Sequence, residues 1–111
     1  MDDLIIVYIM QTIKSYEEFL NIIKAEMSVV IAKTKSCVVC KPISEKLQAF
    51  MIDYPQIPVF QVYLEDVEMF QGQQLVFTVP TIIVYSNEKE ILRESRFIDF
   101  DKLSRLFNLY F

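Results

Sequence analysis

The sequence predicts one α/β domain over residues 1–111, with a mixed central sheet flanked by helices in the order βαβαβαββα. Three observations predict it. Short apolar runs rich in branched residues recur as Leu4–Met10, Met27–Ala32, Val59–Leu64 and Thr81–Tyr85, and such runs read as strands buried on both faces. The segments between the early runs carry apolar residues at helical spacing, which requires parallel strands joined by helical crossovers. After Tyr85, the turn residues Ser86–Asn87–Glu88–Lys89 send the chain back as an antiparallel edge strand.

Each element has its own signal. Leu4–Met10 is the first strand. Ser15 caps a helix over Tyr16–Glu26, because Glu18 stands at capping-box spacing and Phe19, Ile22 and Ile23 form one apolar stripe. Met27–Ala32 is an apolar strand, and the polar stretch Lys33–Ser36 ends it. Ile43, Leu47, Phe50 and Met51 then mark a helix with its first turn at Val38–Pro42 and Ser36 or Cys37 as its cap. Proline lacks an N–H and is tolerated only near such a start. Asp53–Tyr54–Pro55 closes that helix. Val59–Leu64 is a strand, Asp66–Gln74 reads as one or two helical turns stopped by Gly72, and Thr81–Tyr85 is a strand. Ile91–Ser95 returns beside it. Asp99 caps a last helix carrying Leu103, Leu106, Phe107 and Tyr110.

Composition narrows the chemistry. Apolar residues make up 53% of the 111-residue chain, against roughly 45–50% in typical soluble proteins, so there is material for a core. The net charge of −4 is spread along the chain. A nucleic-acid footprint needs a basic face, and no Lys/Arg cluster supplies one. Asp2 and Asp3 precede the first apolar run where a signal peptide would carry basic residues. No run approaches the ~20 residues of a membrane span, so a soluble, cytoplasmic monomer is expected. There is no His and one Gly, Gly72. Ser–His and Cys–His dyads, His-rich metal sites and Gly-rich phosphate loops are therefore out of reach, and neither a cofactor nor a metal is expected. The carboxylates Glu17, Glu18, Glu45 and the Glu88–Glu94 set fall on expected solvated faces and turns and are assigned no role beyond solubility.

The remaining chemistry lies in Cys37-Val38-Val39-Cys40, the chain's two cysteines, which follow a buried strand and open a helix. Unpaired N–H groups and the dipole at a helix start stabilise an anion, so Cys37 is the expected nucleophilic thiolate. Cys40, one turn on, can reach it with acceptable disulfide geometry and is the expected resolving thiol. Lys35 and Lys41 add positive potential. Two bland readings compete: a pair of buried cysteines acting as small apolar residues, and half of a zinc site that would need carboxylates or a second chain. Val38 and Val39 stiffen the first turn and place apolar surface beside the sulfur, although helical periodicity would equally turn Val39 into the core.

With a later strand opened by Val79–Pro80–Thr81, the chain resembles the thioredoxin superfamily over nearly its whole length. The resemblance implies the thioredoxin fold, a cis bond at Pro80 beside the two cysteines, and docking of an extended substrate segment on Val79, with Val38, Pro80 and Thr81 around it. It implies a thiol–disulfide oxidoreductase that reduces protein disulfides, draws electrons from a reducing partner and serves cell redox homeostasis. Thioredoxins proper carry Trp before the first Cys and Gly-Pro between the pair, where this chain has Ser36, Val38 and Val39. They also carry a buried Asp six residues before the first Cys, where this chain has Ile31. These departures motivate a second reading, a redox-inactive thioredoxin-fold interaction or accessory module. A glutaredoxin-like use of glutathione ranks below both, since no carboxylate clamp is marked.

Overall fold

A computed structural model describes residues 10–111 of the chain. The expected first strand, Leu4–Met10, lies outside the described residues except for Met10, which is buried. The described strands are β1 (Gln11–Thr12), β2 (Ser28–Lys33), β3 (Val59–Tyr63), β4 (Thr81–Ser86) and β5 (Lys89–Ser95). The helices are α1 (Tyr16–Ile22), α2 (Cys40–Met51), α3 (Glu68–Gln74) and α4 (Phe100–Tyr110). The strand order is β1-β3-β2-β4-β5. β1, β3 and β2 run parallel, while β4 is antiparallel to both β2 and β5. The fold is therefore the α/β arrangement with a mixed sheet that the apolar runs predict.

β2 is central and every residue of it is buried, which is why its sequence shows no alternation. Its side chains nevertheless divide strictly by face. Val30 and Ala32 join Phe19 and Ile23 of the α1 region, Phe70 of α3 and Tyr85 of β4 in one core layer. Val29 and Ile31 join Leu47 and Met51 of α2 and Leu103 and Phe107 of α4 in the other. Two helices thus cover each face of the sheet.

Capping chemistry fixes two helix starts. The Ser15 hydroxyl accepts from the Glu18 N–H at 3.1 Å, and Glu18 Oε1 accepts from the Lys14 N–H at 2.7 Å. Asp99 Oδ1 accepts from the N–H groups of Asp101 and Lys102. Glu18 therefore does more than solvate a helix. So do Glu94, which accepts from the Asp99 N–H and pairs with Lys102, and Glu90, which holds Arg93.

Helix α1 stops four residues short of the expected Glu26. The carbonyls of Ile23 and Ala25 are taken by the N–H groups of Glu88 and Asn87 in the β4–β5 turn, so the chain after Ile22 is held by a distant hairpin. In that turn Asn87 and Glu88 both have positive φ, 49° and 74°, the geometry of a two-residue hairpin connection.

Gly72 does not stop α3; it lies inside it with nothing near its Cα hydrogen side. An exposed glycine costs a helix only about 1 kcal/mol against alanine. The helix ends instead at Leu75, which adopts φ 55° and ψ 52°. The Arg93 guanidinium, held by Glu90, donates to the carbonyls of Gln74 at 2.7 Å and Leu75 at 2.9 Å and satisfies the helix end. Leucine in that left-handed conformation is unfavourable by about 1–2 kcal/mol, and its side chain is exposed. Leu75→Gly is expected to stabilise the protein by about 0.5–1 kcal/mol after the added unfolded-state entropy of glycine is allowed for. Urea midpoints of the two proteins, with unchanged slope, check this.

Candidate active site

β2 delivers the chain to one end of the sheet, where two successive turns precede α2. The Cys37 N–H donates to the Thr34 carbonyl at 3.2 Å, and the Cys40 N–H to the Cys37 carbonyl at 3.3 Å. The helix proper begins at Cys40 with Val39 as its cap residue and no side-chain cap. This corrects the expected start at Val38 with Ser36 or Cys37 as cap. The physical reason is the tight turn closed by Cys37 and Cys40 themselves, a common way to enter a helix. Pro42 sits in the first turn, as its missing N–H demands. Because Cys40's N–H is committed and Pro42 has none, the helix mouth offers fewer free N–H groups to an anion than the sequence implies.

Cys37 and Cys40 are joined as a disulfide with Cα atoms 5.4 Å apart, inside the usual range for such bridges. Cys37 is half-buried and Cys40 is 2% exposed. The outer sulfur can meet an incoming reactant; the inner one is reached through it. Val38 and Val39 are 85% and 57% exposed, so both turn outward and the core alternative for Val39 is removed.

The second motif lies at the same end of the sheet. Ala32 pairs with Thr81, which sets the start of β4 beside the end of β2 that leads to Cys37. The Val79–Pro80 peptide bond is cis. Val79 is half-buried against the α1–α3 core layer and Pro80 is buried. Thr81 is also buried, and its hydroxyl donates to the Thr78 carbonyl at 2.6 Å and meets Ser95 Oγ at 2.9 Å. Its side chain braces the loop rather than offering itself to a ligand.

Two neighbours of the site, Lys33 and Phe97, carry no mark of that role in the local sequence pattern. Lys33 does not end the strand in solvent; it is the last residue of β2 and 8% exposed. Its ammonium donates to Ser44 Oγ at 2.9 Å and lies 5.4 Å from the centre of the Tyr63 ring. Burial pushes its pKa down. The period of two marks only its strand face, since Val29, Ile31 and Lys33 continue one face toward α2. Phe97, 88% exposed, is anchored near Pro80 because the neighbouring Arg96 N–H donates to the Pro80 carbonyl at 2.9 Å. Lys35 is engaged: its ammonium pairs with Asp66 at 3.1 Å and its N–H donates to Glu65. Among the described residues no group of three or more His, Cys, Asp or Glu side chains is placed to hold a metal ion.

A disulfide at the entry to a helix, at the same end of a mixed β1-β3-β2-β4-β5 sheet as the Val79–Pro80 loop, is the arrangement of the thioredoxin fold. Comparison with solved structures agrees. Thioredoxin from Plasmodium falciparum superposes with a TM-score of 0.79 at 22% identity, covering 90% of this chain and 98% of that one. Thioredoxin from Fasciola hepatica gives 0.76 at 22% identity, covering 89% and 97%. No protein-family model matches the chain. In sequence it is 29% identical over 105 residues to the thioredoxin-like protein YdfQ of Bacillus subtilis (strain 168), covering 91% of this chain and 92% of that protein. The chain therefore has the thioredoxin fold and is similar in sequence to a thioredoxin-like protein. Among the described residues no helix is long and apolar enough to cross a membrane.

Proposed function

We propose that the protein is a thiol–disulfide oxidoreductase that reduces protein disulfides through Cys37 and Cys40. The observation that carries this reading is the asymmetric burial of the bridged pair, with Cys37 accessible and Cys40 nearly sealed beneath it. In the reduced protein the Cys37 thiolate attacks one sulfur of a substrate disulfide. A Cys37–substrate bond forms, the substrate S–S bond breaks, and the other substrate sulfur leaves as a thiolate that takes up a proton. Cys40 then loses its proton and attacks the Cys37 sulfur, so the protein disulfide forms and the second substrate thiol is released. Two electrons pass from protein to substrate, and a reducing partner returns them.

Docking follows from the surface around Cys37. An extended segment of substrate adds its backbone beside Val79 as an extra strand, with Val38 and Phe97 as exposed apolar contacts. Pro80 and Thr81 hold that edge in place. The protein acts as a monomer in a reducing compartment such as the cytoplasm, where a pair three residues apart is kept as dithiol between turnovers.

In an insulin-reduction assay with excess dithiothreitol, Cys37→Ser is expected to fall to the uncatalysed background while the parent protein accelerates precipitation. Equal rates for the two proteins remove the proposal. The competing reading, an interaction module with inert thiols, draws on the fully buried Ile31 at the position of the thioredoxin acid. It requires a Cys37 thiol pKa at or above the ordinary ~8.5, which ultraviolet thiolate absorbance measures.

A further inference from the structure

Beneath the disulfide lies a cleft of about 420 Å³ lined by Lys33, Cys37, Cys40, Ser44, Gln61 and Tyr63, among others. Lys33 is out of place by ordinary rules. A buried ammonium is costly unless a counter-ion or several hydrogen bonds offset the lost hydration. Among the described residues it has one hydroxyl and one aromatic face, and no carboxylate pairs with it.

Among the described residues, none of the charged groups around it forms an ion pair with it. Lys35 on the β2–α2 loop is a second cation and is paired outward with Asp66 after β3. Lys41 and Glu45 on α2 line the same cleft and are both exposed. Tyr63 on β3 presents its ring to both Lys33 and Lys35. Glu65 receives the Lys35 backbone N–H. The cleft is cationic on balance.

The ammonium's one hydroxyl partner, Ser44, leads to the inner cysteine. Cys40 and Ser44 stand four residues apart on α2, so their side chains are neighbours on one helix face, about 5–6 Å apart at Cβ. Lys33 Nζ is 2.9 Å from Ser44 Oγ, and Lys33 lines the same cleft as both cysteines. We infer that Lys33 is a positioning residue for the resolving half-reaction: its buried ammonium, steered by Ser44, is the counter-ion that holds Cys40 as a thiolate. This rests on the oxidoreductase reading and gives the chain a different device from a buried acid. A carboxylate would accept the Cys40 proton; a cation lowers the cost of losing it. Ile31, on the same strand face two residues earlier, leaves the cation without a carboxylate to neutralise it.

The step balances without another reactant. Cys40 releases its proton to water, its thiolate attacks the Cys37 sulfur of the mixed disulfide, and the departing substrate thiolate takes up a proton. Lys33 stays protonated throughout and contributes only its charge.

The test uses the Cys37→Ser protein, which carries Cys40 as its single thiol and needs no substrate. Its thiolate absorbance is titrated with Lys33 present, with Lys33→Met and with Lys33→Gln. Loss of an opposite charge at this range is expected to raise the midpoint by about one pH unit or more, and mixed-disulfide resolution at pH 7 in the otherwise unaltered protein then slows about tenfold, since the thiolate is the reactive form. Ser44→Ala gives a smaller upward shift. Identical midpoints in all four proteins overturn the inference and leave Lys33 a packing residue. A measurement on the unaltered lysine guards against variants that fail to fold: converting Cys40 to its neutral S-methyl thioether must lower the Lys33 ammonium titration seen by nitrogen NMR, because coupling between two sites is reciprocal. An unmoved Lys33 titration also overturns it. Failure of insulin reduction by the parent protein, by contrast, sinks the oxidoreductase reading while these titrations still report the Lys33–Cys40 coupling.

Discussion

Cys40→Ser is expected to convert a catalyst into a trap. Attack by Cys37 does not require the second sulfur, so the first bond exchange still occurs and the substrate remains linked to Cys37. Resolution does require it, because the attacking atom must reach Cys37 from inside, and Cys40 is the residue held there by the turn that closes on the Cys37 carbonyl. With a serine hydroxyl in its place the attacking group is far too weakly acidic to form an anion at neutral pH. Incubation with a disulfide-bonded protein should give a covalent adduct on a non-reducing gel that dithiothreitol dissolves. Turnover should drop by several orders of magnitude, and the parent protein under the same conditions should show none of the adduct at steady state. The absence of any adduct from Cys40→Ser would mean that Cys37 is not the entry point for substrate.

The largest loss of stability is expected from Phe19→Ala, about 3–5 kcal/mol. Helix α1 has seven residues, too few to persist alone, and Phe19 is the side chain that docks it. The ring is fully buried, meets Phe70 edge-on at a centroid distance of 4.9 Å and Tyr85 at 5.3 Å, and stacks on Tyr16 at 5.4 Å. Its removal leaves a void under both α1 and α3. It also loosens a polar chain in which the Tyr85 hydroxyl donates to Gln74 Oε1 and Gln74 Nε2 donates to the Tyr16 hydroxyl. Burial, reinforced by the nearby Glu90, pushes the Tyr85 phenol well above its ordinary value. The folded state therefore binds that proton more tightly than the unfolded chain, and its contribution is lost only as pH climbs through the raised value, in strong alkali. Against a total stability of about 5–15 kcal/mol, Phe19→Ala should leave the fold marginal. A shift of the urea midpoint by less than a fifth of the parent value would mean that α1 is held by something other than this aromatic cluster.

The buried lysine carries a cost as well as a use. Burial lowers its folded-state pKa, so the folded protein binds fewer protons than the unfolded chain between the two values. Stability attributable to Lys33 therefore rises with pH through that interval and is lowest below it, where the ammonium is fully charged. In the oxidised protein, which has no thiolate beneath Cys37, Lys33→Met should be neutral to stabilising. A site that relinquishes stability to hold a charge is common where chemistry needs that charge.

Sequence alone determined the fold class, the sheet's parallel half, the Ser86–Lys89 turn, the caps at Ser15 and Asp99, and the pairing of Cys37 with Cys40. Each follows from forces that act over a few residues: the two repeat periods of apolar side chains, the preference of Ser and Asp for helix starts, and the geometry available to two sulfurs one turn apart. Tertiary structure alone decided that α1 yields its last turn to the Asn87–Glu88 hairpin, that Gly72 is spanned while Leu75 ends α3, and that Lys33 turns inward. In each of those cases the deciding partner is distant along the chain, whether Arg93 on the carbonyls after α3, the N–H groups of Asn87 and Glu88 near α1, or Ser44 and Tyr63 around a lysine. Local patterns record what a segment can form; the energy of burying a charge or closing a helix end depends on which groups the rest of the fold brings to it.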